Sequence, residues 1–508
     1  MQQVRHPALV TASVMLASML YSMDWTIAAV ALPHMQGAFS ATQDQISWII
    51  TSYIVASAIM IPTAGWLSTR FGRKRVFVTA VALFTGASVL CGAATSLPME
   101  VIARILQGMG GAFLIPLSHS IILDTYPPEQ HGKAMALWGT GSVFGTVLGP
   151  PVGGFVTEYL SWQWIFYINV PLGLIALVGA VLFLPETERD RSKRLDWFGF
   201  VTLAVGVGAL QMMLDRGERQ DWFASTEIMV EAGLAALGMY LFVAHILTTR
   251  NPFLDPRLIA QRRFFLSLLF ISFYGFLSVP PMVLMPTFLE NLRGYTIESI
   301  GVLQMPRGVG MLLALVLSGR ISGKIDPRIM IAFGLGCLMV ASGEMSRWTA
   351  EVGEWPILWT GFMQGWGAGI MLVPIQVISF PTLAPNQRTE AASVFNLWRS
   401  VCSSAGISLT LTLLLGTAAG TRARLVEHAT PYNDALGQGE EGDIWNLGSE
   451  ESIAVLAREI DRQASVAGYN EAFLFLALAA LAAMPLLLFV GRPPKTAEKG
   501  GGTAVVAE

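Results

Sequence analysis

Runs of about 20 mainly apolar residues recur along almost the whole 508-residue chain. A bilayer imposes this pattern, because lipid offers no partner for backbone amides and a spanning segment must bond them internally as a helix. Fourteen runs are counted, at roughly 8 to 33, 45 to 67, 76 to 94, 98 to 123, 134 to 156, 164 to 184, 197 to 214, 226 to 247, 264 to 289, 299 to 318, 329 to 347, 355 to 380, 391 to 416 and 471 to 490. They predict an all-α integral membrane protein with 14 transmembrane helices. A soluble fold is excluded by a chain that is 53% hydrophobic and only 13% charged. The first run is too long for a signal-peptide core and carries Asp24, so it is read as an uncleaved span. Cys91, Cys337 and Cys402 all fall inside spans, at spacings that fit neither a disulfide framework nor a metal site, and are read as packing residues.

A net charge of -3 conceals a strong asymmetry between the two faces. Of 32 Lys and Arg residues, 21 fall on the side that holds both termini, including Arg70, Arg73, Lys74, Arg75, Arg388 and the linker after span 6, against eight on the other side. The excess of cations marks the cytoplasmic face, so both termini are expected there, as an even number of spans requires.

Two segments roughly 255 residues apart read alike. Leu32-Pro33 matches Met285-Pro286, the stretch Gly65 to Arg70 matches Gly319 to Lys324, and Gln107-Gly108-Met109-Gly110 matches Gln364-Gly365-Trp366-Gly367, all in order. This predicts two homologous six-helix bundles, an N-terminal one over 1–190 and a C-terminal one over 259–492, with a two-helix insertion at 191–258. Parallel repeats of this kind rock about a central site, which is alternating access. A long external loop is expected at 417–468, in which Ile453, Leu456 and Ile460 outline either a short amphipathic helix or a plain solvated stretch. The Gly-, Lys- and Ala-rich tail over 493–508 is expected to be disordered.

Four ionisable residues lie well inside predicted spans: Asp24, Arg104, Arg307 and Arg399. Each costs about 2.5 to 3.5 kcal/mol at a helix centre, so such residues face the bundle interior and mark ion or substrate pathways, or form static pairs. Asp24 is read as the one clearly intramembrane carboxylate. Burial and a nearby guanidinium act on its proton in opposite senses, which makes a proton switch with Arg104 as partner; recognition of a cationic substrate and a purely structural role are the alternatives. Trp25, Tyr53, Gln107, Tyr274, Arg307, Gln364, Asn396 and Arg399 are candidates for lining the cavity.

Span 5 carries Gly141, Gly145, Gly149 and Gly153 at four-residue spacing, followed by Gly154 and interrupted by Pro150-Pro151. One face without side chains admits close helix approach. It serves either simple packing or a joint between the two halves that must seal and open. Gly65, Arg70, Gly72 and Arg73 form a short basic turn after span 2, a topology anchor that also has the tightness of a conformational latch.

At these residues the chain resembles the major facilitator superfamily, and within it the fourteen-span drug:proton antiporters of the EmrB/QacA type. Met23-Asp24-Trp25-Thr26-Ile27 through Pro33 is similar to the span 1 motif, Gly65 to Arg75 to the span 2–3 motif, Arg104 with Gln107-Gly108 to the span 4 motif and Gly145 to Gly154 to the antiporter motif. Trp164-Ile165-Phe166, Asn169, Pro171 and Gly173 match the start of span 6, and Leu214-Asp215-Arg216-Gly217 with Asp221-Trp222-Phe223 is similar to the EmrB branch. The resemblance implies the major facilitator fold in a 6+2+6 arrangement and proton-driven efflux of amphipathic or lipophilic compounds from the cytoplasm or inner leaflet, with no cofactor and the proton-motive force as energy source. It implies a bacterial inner-membrane location and, as partners, a periplasmic adaptor of the EmrA type and an outer-membrane channel, with the loop at 417–468 as contact. Two departures stand out. Thr69 replaces the acid of the span 2–3 motif, which puts a charge-paired latch in doubt, and Ala29 replaces the span 1 Asn.

A dedicated exporter of one metabolite, such as a fatty acid or siderophore, fits the same residues. A membrane-embedded enzyme needs a nucleophile or metal cluster at one face, and the six scattered histidines offer none. An ATP-driven pump is disfavoured because Gly319 to Lys324 is one residue short of the phosphate-loop spacing.

Overall fold

The structure is a computed structural model that describes residues 6–187, 189–249, 252–380, 387–430 and 450–489. Fourteen long helices run through them: α1 (Pro7–Phe39), α2 (Gln45–Phe71), α3 (Arg73–Gly92), α4 (Leu97–Thr125), α5 (His131–Tyr159), α6 (Trp164–Phe183), α7 (Trp197–Arg216), α8 (Thr226–Thr248), α9 (Arg262–Arg293), α10 (Ser299–Ile321), α11 (Pro327–Met345), α12 (Glu354–Ser379), α13 (Arg388–His428) and α14 (Ser452–Leu488). Thirteen are long and apolar enough to cross a membrane. The other is α5, where glycines, threonines and Pro150-Pro151 dilute the hydropathy of a helix that at 29 residues is amply long. Each expected run thus has its helix.

Local signals explain the boundaries. Thr42 opens α2 through a reciprocal capping box, its Oγ1 accepting from the Gln45 amide (3.3 Å) while Gln45 Oε1 accepts from the Thr42 amide (3.1 Å). Asp196 and Asp326 cap the helices that follow them more simply, each side chain accepting from one backbone amide, of Gly199 and of Arg328. Gly72 separates α2 from α3 at φ +90°, a conformation that an L side chain resists.

The internal repeat reappears as geometry. A Cβ on Gly108 of α4 would lie 2.5 Å from the Tyr53 carbonyl of α2, and a Cβ on Gly365 of α12 would strike the Arg307 carbonyl of α10. Gly110 packs in the same way on the Ala80 to Phe84 backbone of α3, and Gly367 on Gly334 and Leu338 of α11. Both halves therefore use the same glycines to bring the same pairs of helices together, at the offsets seen in the sequence. The symmetry stops at the chemistry: the positions that match Asp24 and Arg104 at those offsets are Leu277 and Gly361.

The glycine stripe of α5 faces α1, within the first bundle. Gly141 meets Met15, Gly145 the Met19 carbonyl, Gly149 Thr26 and the Met23 carbonyl, and Gly153 Ile27. This corrects the reading of the stripe as the joint between the halves. That joint lies elsewhere on α5, where Ala136, Gly139 and Val147 meet Gly319, Leu315 and Gly308 of α10. The physical reason is that 3.6 residues per turn places 141, 145, 149 and 153 on one side and 136, 139 and 147 on another, and a sequence does not say which neighbour each side receives. Gly154 has open space around it, and Pro150 lies inside a helix that continues through it.

A second correction concerns 417–468. Helix α13 continues to His428, and α14 belongs to a helix that begins at Glu450, so two helical extensions occupy most of the expected loop. They pack together, with Arg422 Nε on Asp461 Oδ1 at 2.5 Å. Neither Gly nor Pro interrupts 421–428 or 450–467, so a helix nucleated in the membrane continues beyond it. Leu456 and Ile460 are half-buried and Ile453 is exposed. The remainder of that loop, 431–449, and the tail at 493–508 lie outside the described residues.

Candidate functional site

Asp24 sits in the middle of α1, fully buried, and three polar side chains from two other helices converge on it. Arg104 Nη1 of α4 donates to Asp24 Oδ2 at 2.6 Å, both side chains having no exposed surface. Gln107 Nε2, one turn further along α4, donates to Oδ1 at 2.8 Å, and Asn169 Nδ2 at the start of α6 donates to the same oxygen at 2.9 Å. Arg104 is held in turn by the Ile49 carbonyl (3.2 Å from Nε), by Gln107 Oε1 (2.6 Å from Nη1) and by the face of Tyr53, 4.3 Å from the guanidinium carbon. Gln107 also donates to Ser88 Oγ of α3 at 2.8 Å. Gly108 allows this: without a side chain there, α2 comes close enough for Tyr53 to cover Arg104.

Such a pair can hold a charge inside the membrane only while both partners are ionised and in place. A proton on Asp24 ends the ion pair and frees the guanidinium. The glycine stripe of α5 grips Met23, Thr26 and Ile27 on either side of Asp24, so any movement of α1 against α5 is a movement of the carboxylate.

Asp24 is not the only intramembrane carboxylate, contrary to the sequence reading. Glu100, in the first turn of α4, is also fully buried, and its carboxyl oxygens meet no nitrogen or hydroxyl donor among the described residues, only the weak Cys91 thiol. Its signal was present in the sequence, four residues before Arg104 and seven before Gln107 on one helix face, but a position two residues after Pro98 reads as a helix end near water.

A second polar cluster closes the basic face between the two bundles. Asp124, at the end of α4, accepts from Arg73 of α3 and, at 2.5 Å, from Arg388 Nη1 at the start of α13. Arg388 also donates to the Leu123 carbonyl at 3.1 Å, and Ser120 bonds Thr389 at 2.8 Å. One turn deeper, Gln376 and Asn396 approach the two nitrogens of His119 at 3.4 and 3.5 Å. Gly65 abuts Glu390, whose Cα would lie 3.0 Å from a Cβ there. Of the basic-turn residues, Gly65 and Arg73 therefore border this junction, whereas Gly72 faces Thr187 and Arg189 in the segment after α6. Arg70 does not border it either: it donates to the carbonyls of Arg191 and Lys193 in the linker before α7. Thr69 supplies no charge, its hydroxyl donating to the Gly65 carbonyl, and the acid that holds Arg73 comes from α4 instead. Asp124, Arg388, Glu390 and His119 were missed in the sequence because each is an isolated residue at a helix end or among apolar neighbours.

The cavity candidates separate. Tyr53 and Gln107 belong to the Asp24 cluster, and Asn396 belongs to the junction with His119. Gln364 is buried inside the second bundle beside Ser342 Oγ (3.5 Å) and Met345 Sδ (3.4 Å). Tyr274 is buried on α9, while Trp25, Arg307 and Arg399 are half-buried, and Arg307 Nη2 donates to the Ser278 carbonyl one turn from Tyr274.

Comparison with known proteins places this geometry in a family. The Major Facilitator Superfamily matches residues 14–407. Among curated proteins, the chain is 34% identical over 494 residues to the multidrug export protein EmrB of Haemophilus influenzae, covering 96% of each chain. It is 32% identical over 501 residues to the protein of the same name from Escherichia coli K12, covering 98% of this chain and 97% of that one. It is likewise 32% identical over 501 residues to the fatty acid resistance protein FarB of Neisseria gonorrhoeae, covering 97% and 98%. Among solved structures, the human organic anion transporter MFSD10 superposes with a TM-score of 0.62 at 15% identity, covering 95% of this chain and 99% of that one. A bacterial homologue of the human lysosomal transporter Spinster gives 0.54 at 17% identity, covering 96% and 99%; at these identities the likeness shows the fold. The chain belongs to the Major Facilitator Superfamily and, within it, to the family of the EmrB multidrug export proteins.

Proposed function

We propose that this protein exports amphipathic or lipophilic small molecules by alternating access, in exchange for protons that bind at Asp24. The single observation that carries the coupling site is the Asp24 carboxylate with no exposed surface, paired to Arg104 and surrounded by Gln107 and Asn169. A proton entering this site neutralises Asp24 and breaks the pair; departure of the proton restores it. One proton moving down 100 mV supplies about 2.3 kcal/mol, enough for roughly a fiftyfold gradient of a singly exchanged substrate. We assign no cofactor to this cycle.

The relatives named as multidrug export proteins support a broad substrate range. The similarity to a fatty acid resistance protein favours, as a second reading, an exporter dedicated to one amphipathic metabolite. The excess of Lys and Arg on one face supports an inner-membrane orientation with both termini in the cytoplasm. We assign contact with a periplasmic adaptor, and through it an outer-membrane channel, to the paired extensions of α13 and α14, which carry the chain away from the membrane on the opposite face.

Proton release from liposomes containing the purified protein, on addition of lipophilic compounds, tests the coupling. Wild type is expected to move protons against substrate and Asp24→Asn to bind substrate without doing so. Equal pumping by both removes Asp24 from the mechanism.

A further inference from the structure

Glu100 lies one turn before Arg104 on the same face of α4, with no exposed surface and no nitrogen or hydroxyl donor on either carboxyl oxygen among the described residues. The Arg104 guanidinium, in turn, has one nitrogen left over: Nη1 and Nε are engaged, whereas Nη2 is buried without a partner. The groups that face Glu100 are Arg104 from its own helix, Asp24 from α1 and the Cys91 thiol from α3. Helix α2 contributes Tyr53, which lies against Arg104, and α6 contributes the uncharged Asn169 on Asp24.

This buried cluster contains two carboxyl groups and one guanidinium. With both acids ionised it would bury a net negative charge, and with both neutral a net positive one; either is far more costly in a water-excluded site than electroneutrality. Neutrality requires one proton on one of the two acids. In the observed geometry Asp24 has the guanidinium and two amide donors, so the proton belongs on Glu100.

We propose that Glu100 is a second proton-binding site that shares one proton with Asp24. In this conformation Glu100 is the neutral acid and Asp24 the carboxylate. When the proton passes from the Glu100 carboxyl to the Asp24 carboxylate, Glu100 becomes the carboxylate and takes Arg104 through Nη2. The proton is conserved, the cluster remains neutral throughout, and the two acids titrate as a pair. Glu100 stands at the end of α4 remote from the basic face, where a proton from outside would arrive first.

The inference rests on the reading of Asp24 as the proton site, yet it can be tested without transport. Infrared spectra of the full-length protein in lipid nanodiscs at neutral pH report neutral carboxyl groups through their carbonyl band. Glu100→Gln is expected to remove one component of that band because the acid is gone. Asp24→Asn is expected to remove the same component, because Arg104 then holds Glu100 ionised. A Glu100→Gln spectrum that superimposes on wild type, or an Asp24→Asn spectrum that keeps the component, overturns the proposal. Thermal unfolding provides an independent readout. The double variant is expected to lose far more stability than the two single variants combined, since Arg104 is left with no carboxylate, and additive shifts count against the sharing of one proton. Liposome transport decides the role of Asp24 in coupling separately, since neither of these measurements depends on substrate.

Discussion

Arg388 and Asp124 join the two bundles across the basic face: the guanidinium at the start of α13 donates at 2.5 Å to the carboxylate at the end of α4, which Arg73 also holds from its own bundle. The contact exists only while the basic face is closed. It is one of a short series, with Ser120 on Thr389 and the His119 group behind it, that must part before this face can open.

Removing that contact shifts the balance between the closed and open forms. Asp124→Asn keeps the shape and takes away the charge of a group whose side chain is 30% exposed, so the expected effect is about 1 kcal/mol, or several-fold in population. A cysteine at Ser120 reports it: thiol labelling from the basic face is expected to accelerate in Asp124→Asn, and an unchanged rate assigns closure to apolar packing alone.

The Asp24 pair is of another kind, because both side chains are fully buried. Arg104→Leu strands a carboxylate in a dry site and is expected to cost about 3–5 kcal/mol, seen as a large fall in unfolding temperature in detergent. Arg104→Lys keeps the charge but loses the bonds from Nε and Nη1 that the fork makes together, and is expected to recover only part of the stability.

Glycines on α5 separate by the neighbours they meet. Gly149→Ala drives a methyl into Thr26 Oγ1 and the Met23 carbonyl, displacing α1 beside Asp24, with an expected cost of about 1–3 kcal/mol and loss of coupling. Gly154→Ala meets open space and is expected to change stability by less than about 1 kcal/mol, in the favourable direction from helix propensity. Thermal unfolding of the two variants side by side measures the difference; equal effects would mean that α1 and α5 do not pack this closely.

Beyond the membrane, α13 and α14 continue as a helical pair. Amide hydrogens over 417–428 and 452–467 are expected to exchange slowly, as helical amides do, and exchange at the rate of an open loop would contradict the extensions. The Arg422–Asp461 pair on their surface is more than half exposed at both residues, so Arg422→Ala is expected to change stability by less than about 1 kcal/mol.

Much of the architecture was legible in advance because it follows from short-range physics. Apolar runs long enough to cross a bilayer became helices, including α5, the least apolar of them. The offsets of the repeat became matched packing, Gly108 on Tyr53 and Gly365 on Arg307. Asp24, Arg104 and Gln107 were legible for a different reason: polar groups are expensive in a membrane, and three of them in spans 1 and 4 had to find one another. Glu100 and Asp124 escaped because each lies near the end of a span, where a charge in a sequence reads as a group in water.

The sequence by itself determined the number of helices, the repeat that relates them, and the presence of a charged pair within the first bundle, since each depends on composition along one stretch of chain. Only the tertiary structure decided which neighbour each helix face receives. It turned the glycine stripe of α5 toward α1 rather than the second bundle, gave Arg73 an acid from α4 in place of the one missing at Thr69, and buried Glu100 beside an arginine already taken. A helix presents several faces at once, and the packing of fourteen helices, not the order of residues along any one of them, selects the partner that each face meets.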